Sequence, residues 1–416
     1  SVATVSSTGL VTAKGKGKAV IYTYSSSEAE QDVVCYLEVS PRRNILFYIG
    51  ADDNVINGDT PGKINKIRMG WQPDKGEMLI YADRKNEGAS LLRINNVLDA
   101  NGYYGLDTLE VYGSENSADA ATLNRVIKKM VSDYPADSYG MIFFSHASGW
   151  LPEGMLSRPL SMVIDGEVST NREMEYYDFA SAIPDKQFDF IILEACLMSD
   201  VLSMYEFRKK SAYILASSAE IVSPGFYNIY ADEIMRLYET KDDIPSVVSG
   251  FAQSYYDKIA ALPESDVFCS ATLSLVKMDE MEALASVTKS ALQGADIDEA
   301  TVPVEDVQSF DRPKKLIYSG YNRSSRYFDF AHVMEKITPD SQYKIVNAQL
   351  DKTVVWKAAT KRFLLRDSGG TPYFNEYDGF FIERHSGLTI YIKQEVYPGL
   401  NAAFEKSSWY KAIYDN

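Results

Sequence analysis

A cysteine and a histidine, each closing a run of hydrophobic residues, are the pair in this chain suited to covalent catalysis. The run Tyr139-Gly140-Met141-Ile142-Phe143-Phe144-Ser145 ends at His146, and Phe190-Ile191-Ile192-Leu193-Glu194-Ala195 ends at Cys196, fifty residues further on. A thiolate attacks a carbonyl carbon, a histidine manages protons for thiol and leaving group, and backbone amides beside the nucleophile hold the developing oxyanion. The chain offers each part: Cys196 as nucleophile, His146 as acid–base partner, and the amides of Cys196 and Ala147 as oxyanion donors. No histidine pair with zinc-ligand spacing and no Gly-x-Ser-x-Gly elbow is present, which argues against metal or serine hydrolysis.

For the two side chains to meet, both runs must be buried strands of one sheet. In a parallel α/β sheet, ligands bind outside the carboxyl ends of the strands, so residues at two strand exits share one crevice. From Asn44 short apolar runs alternate with longer helical periods, the pattern of such a sheet. Strands are expected at 44–50, 77–83, 139–145, 188–195 and 211–218. Between the second and third, Leu123, Val126, Ile127, Met130, Val131 and Tyr134 form one apolar helical face that Pro135 ends. Beyond residue 240 come helical segments at 244–261, 278–292 and 341–358, with strand-like runs at 268–276 and 388–392. Residues 1–40 have strand-and-turn texture, and Pro41-Arg42-Arg43 is the expected joint. The chain thus divides into a small all-β segment (1–40), an α/β core (41–240) and a C-terminal α/β extension packed on it (241–416).

Composition bounds the function. With 416 residues, 45% of them hydrophobic and 12% aromatic, the chain can bury large cores. A net charge of -16 argues against a nucleic-acid partner, because phosphate backbones are bound by clustered Lys and Arg. Acidic balance suits cationic substrates. Cys35, Cys196 and Cys269 lack the spacing of a zinc site or the density of a disulfide framework; Cys35 and Cys269 lie in strand-like runs and are expected in the core. No apolar stretch has the length of a membrane helix, and the start at Ser1 reads as a mature or truncated form.

Several segments together resemble clostripain-type cysteine peptidases (family C11), the group that also includes caspases, legumains, gingipains and separases. They are Ile49-Gly50-Ala51-Asp52-Asp53-Asn54, Pro135-Ala136-Asp137-Ser138-Tyr139, Ser145-His146-Ala147-Ser148-Gly149-Trp150, Glu194-Ala195-Cys196-Leu197-Met198, Ala216-Ser217-Ser218-Ala219-Glu220 with Pro224-Gly225-Phe226-Tyr227, and Gly387-Leu388-Thr389-Ile390-Tyr391-Ile392 followed by Trp409-Tyr410. The resemblance covers residues 44–416 and is densest from 135 to 230. It implies a caspase-like, mostly parallel sheet flanked by helices, a thioester intermediate and endopeptidase cleavage after Arg or Lys. Residues 1–13, followed by Gly15 and Gly17, resemble the second half of a bacterial Ig-like module, which together with the family implies a secreted, periplasmic or cell-surface protein. Relatives of this type often work as monomers.

Two positions depart from the family pattern. The acidic residue two before the cysteine, which the resemblance places in the pocket for the basic side chain, is Glu194 rather than aspartate; Glu220 is a second candidate, and a helix-capping role is the structural alternative for Glu194. Ala147 stands where relatives carry glycine, keeping the amide while restricting the backbone. Relatives cut themselves between the histidine and cysteine strands, where residues 151–187 supply Arg158, Arg172 and Lys186; Arg158 precedes Pro159, leaving Arg172 and Lys186 as the self-processing candidates. His332 and His385 are expected to be structural or exposed. No cofactor is required; calcium is an optional ligand for Asp52-Asp53 or Asp165-Gly166-Glu167, neither of which has calcium-loop spacing. The alternative to a peptidase is a binding or adhesion protein on a peptidase-like scaffold, motivated by the Ig-like start and the two departures.

Overall fold

A computed structural model describes residues 2–15, 17–23, 33–39, 42–52, 56–73, 75–153, 164–165, 172–240, 243–263, 265–311, 316–318, 321–366 and 379–415. Its centre is a nine-stranded sheet built from β1 (Arg43–Ala51), β2 (Met78–Arg84), β3 (Gly88–Leu98), β4 (Tyr104–Gly113), β5 (Ser138–Phe144), β6 (Phe188–Glu194), β7 (Ser211–Ala216), β8 (Thr272–Lys277) and β9 (Val354–Ala359). The strand order is β9-β8-β7-β6-β5-β1-β2-β3-β4. From β7 to β2 all neighbours are parallel, and β8–β9 and β3–β4 extend the two sides antiparallel. Residues beyond 240 therefore contribute two strands to the same sheet as the core.

The parallel strands are apolar throughout because both faces are covered. In β1 and β6, Ile45, Phe47, Ile49, Phe190 and Ile192 face one helical layer, while Leu46, Tyr48, Ile191 and Leu193 face the other. The first layer holds α1 (Thr60–Gly70), α5 (Tyr227–Glu233) and α6 (Ile244–Ala260); the second holds α2 (Ala120–Asp133), α3 (Tyr176–Ala182), α4 (Val201–Phe207), α7 (Met281–Leu292), α8 (Phe330–Ile337), α9 (Asp340–Thr353), α10 (Pro398–Lys406) and α11 (Ser408–Tyr414). Each fully buried Phe or Leu in these layers is worth about 1.5–3 kcal/mol of transfer free energy. The helix ahead of β5 buries Leu123, Val126, Ile127 and Met130, the face read from periodicity.

The amino-terminal segment forms two antiparallel pairs, Ala3–Val5 with Val11–Ala13 and Gly17–Thr23 with Val33–Val39, apart from the nine-stranded sheet. Two cysteines differ from expectation. Cys35 is exposed because its strand has no covering layer, and Cys269 is half-buried in a turn before β8.

Candidate active site

His146 follows β5 and Cys196 follows β6, adjacent parallel strands with Glu194 paired to Phe144 across the ladder. Both residues line one cleft of about 610 Å³ at the carboxyl ends of the strands. Each is half-buried. The sequence expectation that the two strand exits open on a common crevice is met by this register.

Local hydrogen bonds hold each exit. Ser145 Oγ donates to the Gly50 carbonyl at 2.7 Å, tying the histidine loop to β1. Tyr327 donates its hydroxyl to the Ser148 carbonyl on the same loop. Gly149 adopts φ +58°, and a Cβ there would stand 2.5 Å from the Leu197 carbonyl, so the histidine and cysteine loops touch through glycine. Leu197, immediately after Cys196, also sits in the left-handed region at φ +61°. Such a conformation in a γ-branched residue costs free energy and persists where surroundings impose it. Here the Leu197 amide donates to the Ala219 carbonyl and the Ser199 amide to the Ser217 carbonyl, both at 2.9 Å. Ser199 Oγ donates to the Gly387 carbonyl at 2.6 Å, and the Thr389 amide donates to the Ser199 carbonyl, so the carboxyl-terminal segment pins the turn after Cys196.

Burial pushes the Cys196 thiol up to about 12; the nearby Glu220 carboxylate pushes the same way, and the Ile221 amide, donating to Sγ at 3.4 Å, opposes them. The Cys196 side chain therefore rests as a thiol. Ala147 is buried and borders the cleft, as does Cys196, which places both expected oxyanion residues along its wall.

Glu194 ends β6 on the face covered by α1 and α5, and its side chain is 1% exposed. Lys63 Nζ donates to its Oε1 at 2.5 Å, the Phe226 amide donates to the same oxygen at 2.6 Å, and Tyr230 donates its hydroxyl to Oε2 at 2.5 Å. Lys63 is fully buried; it also donates to the Pro224 carbonyl at 2.6 Å and lies 4.2 Å from the centre of the Phe144 ring. Burial and the adjacent Glu194 charge hold the Tyr230 phenol well above its ordinary range, so it stays a donor. Glu194 thus has a cation of its own, and it braces the start of α5 rather than capping the helix after the cysteine. That helix, α4, is capped by Asp200, which accepts from the Ser203 amide at 2.8 Å. Glu220 is exposed at the cleft.

Sequence reasoning missed Lys63. A lysine in α1 reads as a solvated residue, and the signal for burial was its spacing with Thr60, Ile64 and Ile67, the buried side of that helix. It also missed Asp59, on the cleft wall one residue before α1, and the Asp311–Arg326 pair, also on the wall.

The model of the clostripain family matches residues 47–412. The chain belongs to the clostripain family. This clostripain-family chain is similar to the solved structure of an inactive zymogen C11 protease from Parabacteroides distasonis, with 28% identity over 91% of this chain and 100% of that one, and a TM-score of 0.73. A secreted C11 cysteine protease from Bacteroides thetaiotaomicron, solved with an irreversible peptide inhibitor, shares the fold at 24% identity, 90% and 99% coverage and a TM-score of 0.72. A second structure of a secreted C11 cysteine protease from the same organism has 18% identity, 90% and 99% coverage and a TM-score of 0.69. None of the curated proteins compared matches significantly. The family is one of cysteine peptidases, so the substrate is a peptide and the reaction hydrolysis of its amide bond.

The remaining candidate sites are structural or lie elsewhere. His332 is in the first turn of α8, where Asp329 caps its amide at 3.0 Å and its Nδ1 accepts from the Gln308 amide at 3.1 Å. His385 lies 3.3 Å from Ser218 Oγ, and burial with the Lys357 charge lowers its pKa to about 3. For calcium, Asp52 is buried at the end of β1 and the backbone of Asp165 pairs with Arg172, while Asp53, Gly166 and Glu167 fall outside the described residues. Among the described residues no group of three or more His, Cys, Asp or Glu could hold a metal ion, and no helix is long and apolar enough to cross a membrane.

Proposed function

We propose that the chain is an endopeptidase in which Cys196 and His146 form a catalytic dyad and that it cleaves after Arg or Lys. Cys196 Sγ attacks the scissile carbonyl carbon as its proton passes to His146, and the amides of Ala147 and Cys196 hold the oxyanion. Collapse breaks the C–N bond, the amine leaves with the His146 proton, and water, deprotonated by His146, hydrolyses the thioester to the acid and free thiol. The observation that carries this reading is the placement of both side chains on one cleft at adjacent strand exits. The acidic composition and the carboxylates bordering the cleft favour a basic side chain before the scissile bond.

The same reading includes self-processing between the two catalytic strands. Lys186 is held at φ +56° with its amide bonded to the Lys209 carbonyl at 2.6 Å, a closed turn rather than the extended backbone a peptidase cleft binds. Arg172, in a short extended pair with Asp165, is the favoured bond. A secreted, periplasmic or cell-surface setting and a monomeric state complete the proposal, as does a three-part chain with boundaries near 40 and 240.

Labelling with an arginyl acyloxymethyl ketone followed by peptide mapping tests the dyad. The adduct is expected on Cys196 in wild type and to be lost in His146→Ala. An adduct on Cys35 or Cys269 instead, unaffected by His146→Ala, would sink the proposal and favour a binding protein on a peptidase-like scaffold.

A further inference from the structure

Among the described residues, four carboxylates border the cleft: Asp59, Glu194, Glu220 and Asp311. They are not equivalent. Asp311 has the Arg326 guanidinium 3.6 Å away, and Glu194 has Lys63. For an incoming guanidinium to reach Glu194 it must expel an ammonium with no exposure, held also by a carbonyl and an aromatic ring. Breaking one side of a buried ion pair strands the other charge, so that exchange is strongly unfavourable.

Asp59 is differently placed. It precedes α1 by one residue and Lys63 by four, so the two share a side of the helix at its start. Lys63 turns in toward Glu194, while Asp59 is half-buried at the cleft wall. Its carboxylate does not cap its own helix, and it accepts from Ser223 Oγ at 2.8 Å, a neutral donor on the loop that leads to Gly225. A carboxylate has about four acceptor sites, so a hydroxyl partner leaves room and full charge for a cation.

We propose that Asp59 is the residue that reads a basic side chain before the scissile bond, and that Lys63 cancels Glu194, whose task is to brace the 222–226 loop that carries Ser223. This rests on the reading of the chain as a peptidase cleaving after Arg or Lys, and refines which carboxylate sets that preference.

The test is steady-state hydrolysis of two matched fluorogenic peptides, one ending in arginine and one in its neutral isostere citrulline, by the full chain, after a controlled cut in the 151–187 loop where the intact chain is silent. Asp59→Asn, which keeps an acceptor for Ser223, is expected to lower the arginine-to-citrulline ratio of kcat/KM about 10- to 100-fold, the worth of one charge-assisted hydrogen bond, chiefly through KM. Lys63→Met combined with Glu194→Gln removes the braced pair without leaving a lone charge, and is expected to hold the ratio within about threefold of wild type. An unchanged ratio in Asp59→Asn, or an equal fall in the paired variant, overturns the assignment; should the paired variant fail to fold, the Asp59→Asn ratio decides alone. A wild-type enzyme that does not distinguish arginine from citrulline removes the basic-residue reading itself, and that outcome is visible before any substitution.

Discussion

The Cys196 thiol is set by its burial and by two neighbours, Glu220 and Ile221. Desolvation raises its pKa most, the Glu220 carboxylate adds to that, and the Ile221 amide lowers it. Replacing Glu220 by glutamine removes a negative charge that disfavours the thiolate, so the thiolate fraction at a given pH must rise. Iodoacetamide should therefore alkylate Cys196 faster in Glu220→Gln than in wild type between pH 7 and 9, read by mass spectrometry of the peptide. Equal rates would mean that Glu220 does not act on the thiol.

At the scale of elements, two short segments do most of the positioning. The 222–226 loop is shaped by Gly225, at φ +61° and with an imagined Cβ only 2.3 Å from Glu194 Oε1. Gly225→Ala should cost about 1–3 kcal/mol of stability and lower kcat/KM at least about tenfold, because the loop must lift off the Lys63–Glu194 pair it covers. Thermal unfolding and peptide hydrolysis check both, and a variant with wild-type values in each would remove the brace from the account. The turn after Cys196 ends at Asp200, the cap of α4, where burial raises the carboxyl to about 7 against the opposing Ser203 hydrogen bonds. A carboxyl with a folded pKa above its unfolded value contributes stability below about pH 4 that is lost as pH rises through 7. Asp200→Asn, neutral throughout and still a cap, should therefore gain on wild type by about 1 kcal/mol or more between pH 4.5 and 7.5 in denaturant titrations. A constant difference across that range would contradict the buried, protonated state.

For the whole molecule, the sheet brings the site together and the chain outside residues 135–230 holds it there. The parallel strands were legible because burial on both faces makes each a continuous apolar run, and the expected 188–195 and 139–145 lie within a residue of the observed strands. Three of the antiparallel strands were not. Gly88–Leu98 and Tyr104–Gly113 alternate polar residues on a half-exposed sheet, and Val354–Ala359 follows α9 with no breaker between them, so its β-branched start was absorbed into a helical period. His146 and Cys196 were readable as candidates for the same reason, each closing one of these apolar runs. Lys63 and Asp59 were not readable, because their roles arise from contacts with Glu194 and Ser223, 131 and 164 residues away. Self-processing also belongs to this scale: purified wild type is expected to part into two chains after Arg172 while Cys196→Ala runs intact, as seen on a denaturing gel with terminal sequencing, and identical single bands would end that proposal.

The most direct measurement is hydrolysis of paired fluorogenic peptides ending in arginine, lysine or aspartate by wild type and Cys196→Ala, with and without calcium. Cleavage is expected after the two basic residues alone and is abolished in the variant. Silence with all three peptides, even after a controlled cut in the 151–187 loop, or equal activity in Cys196→Ala, would contradict it.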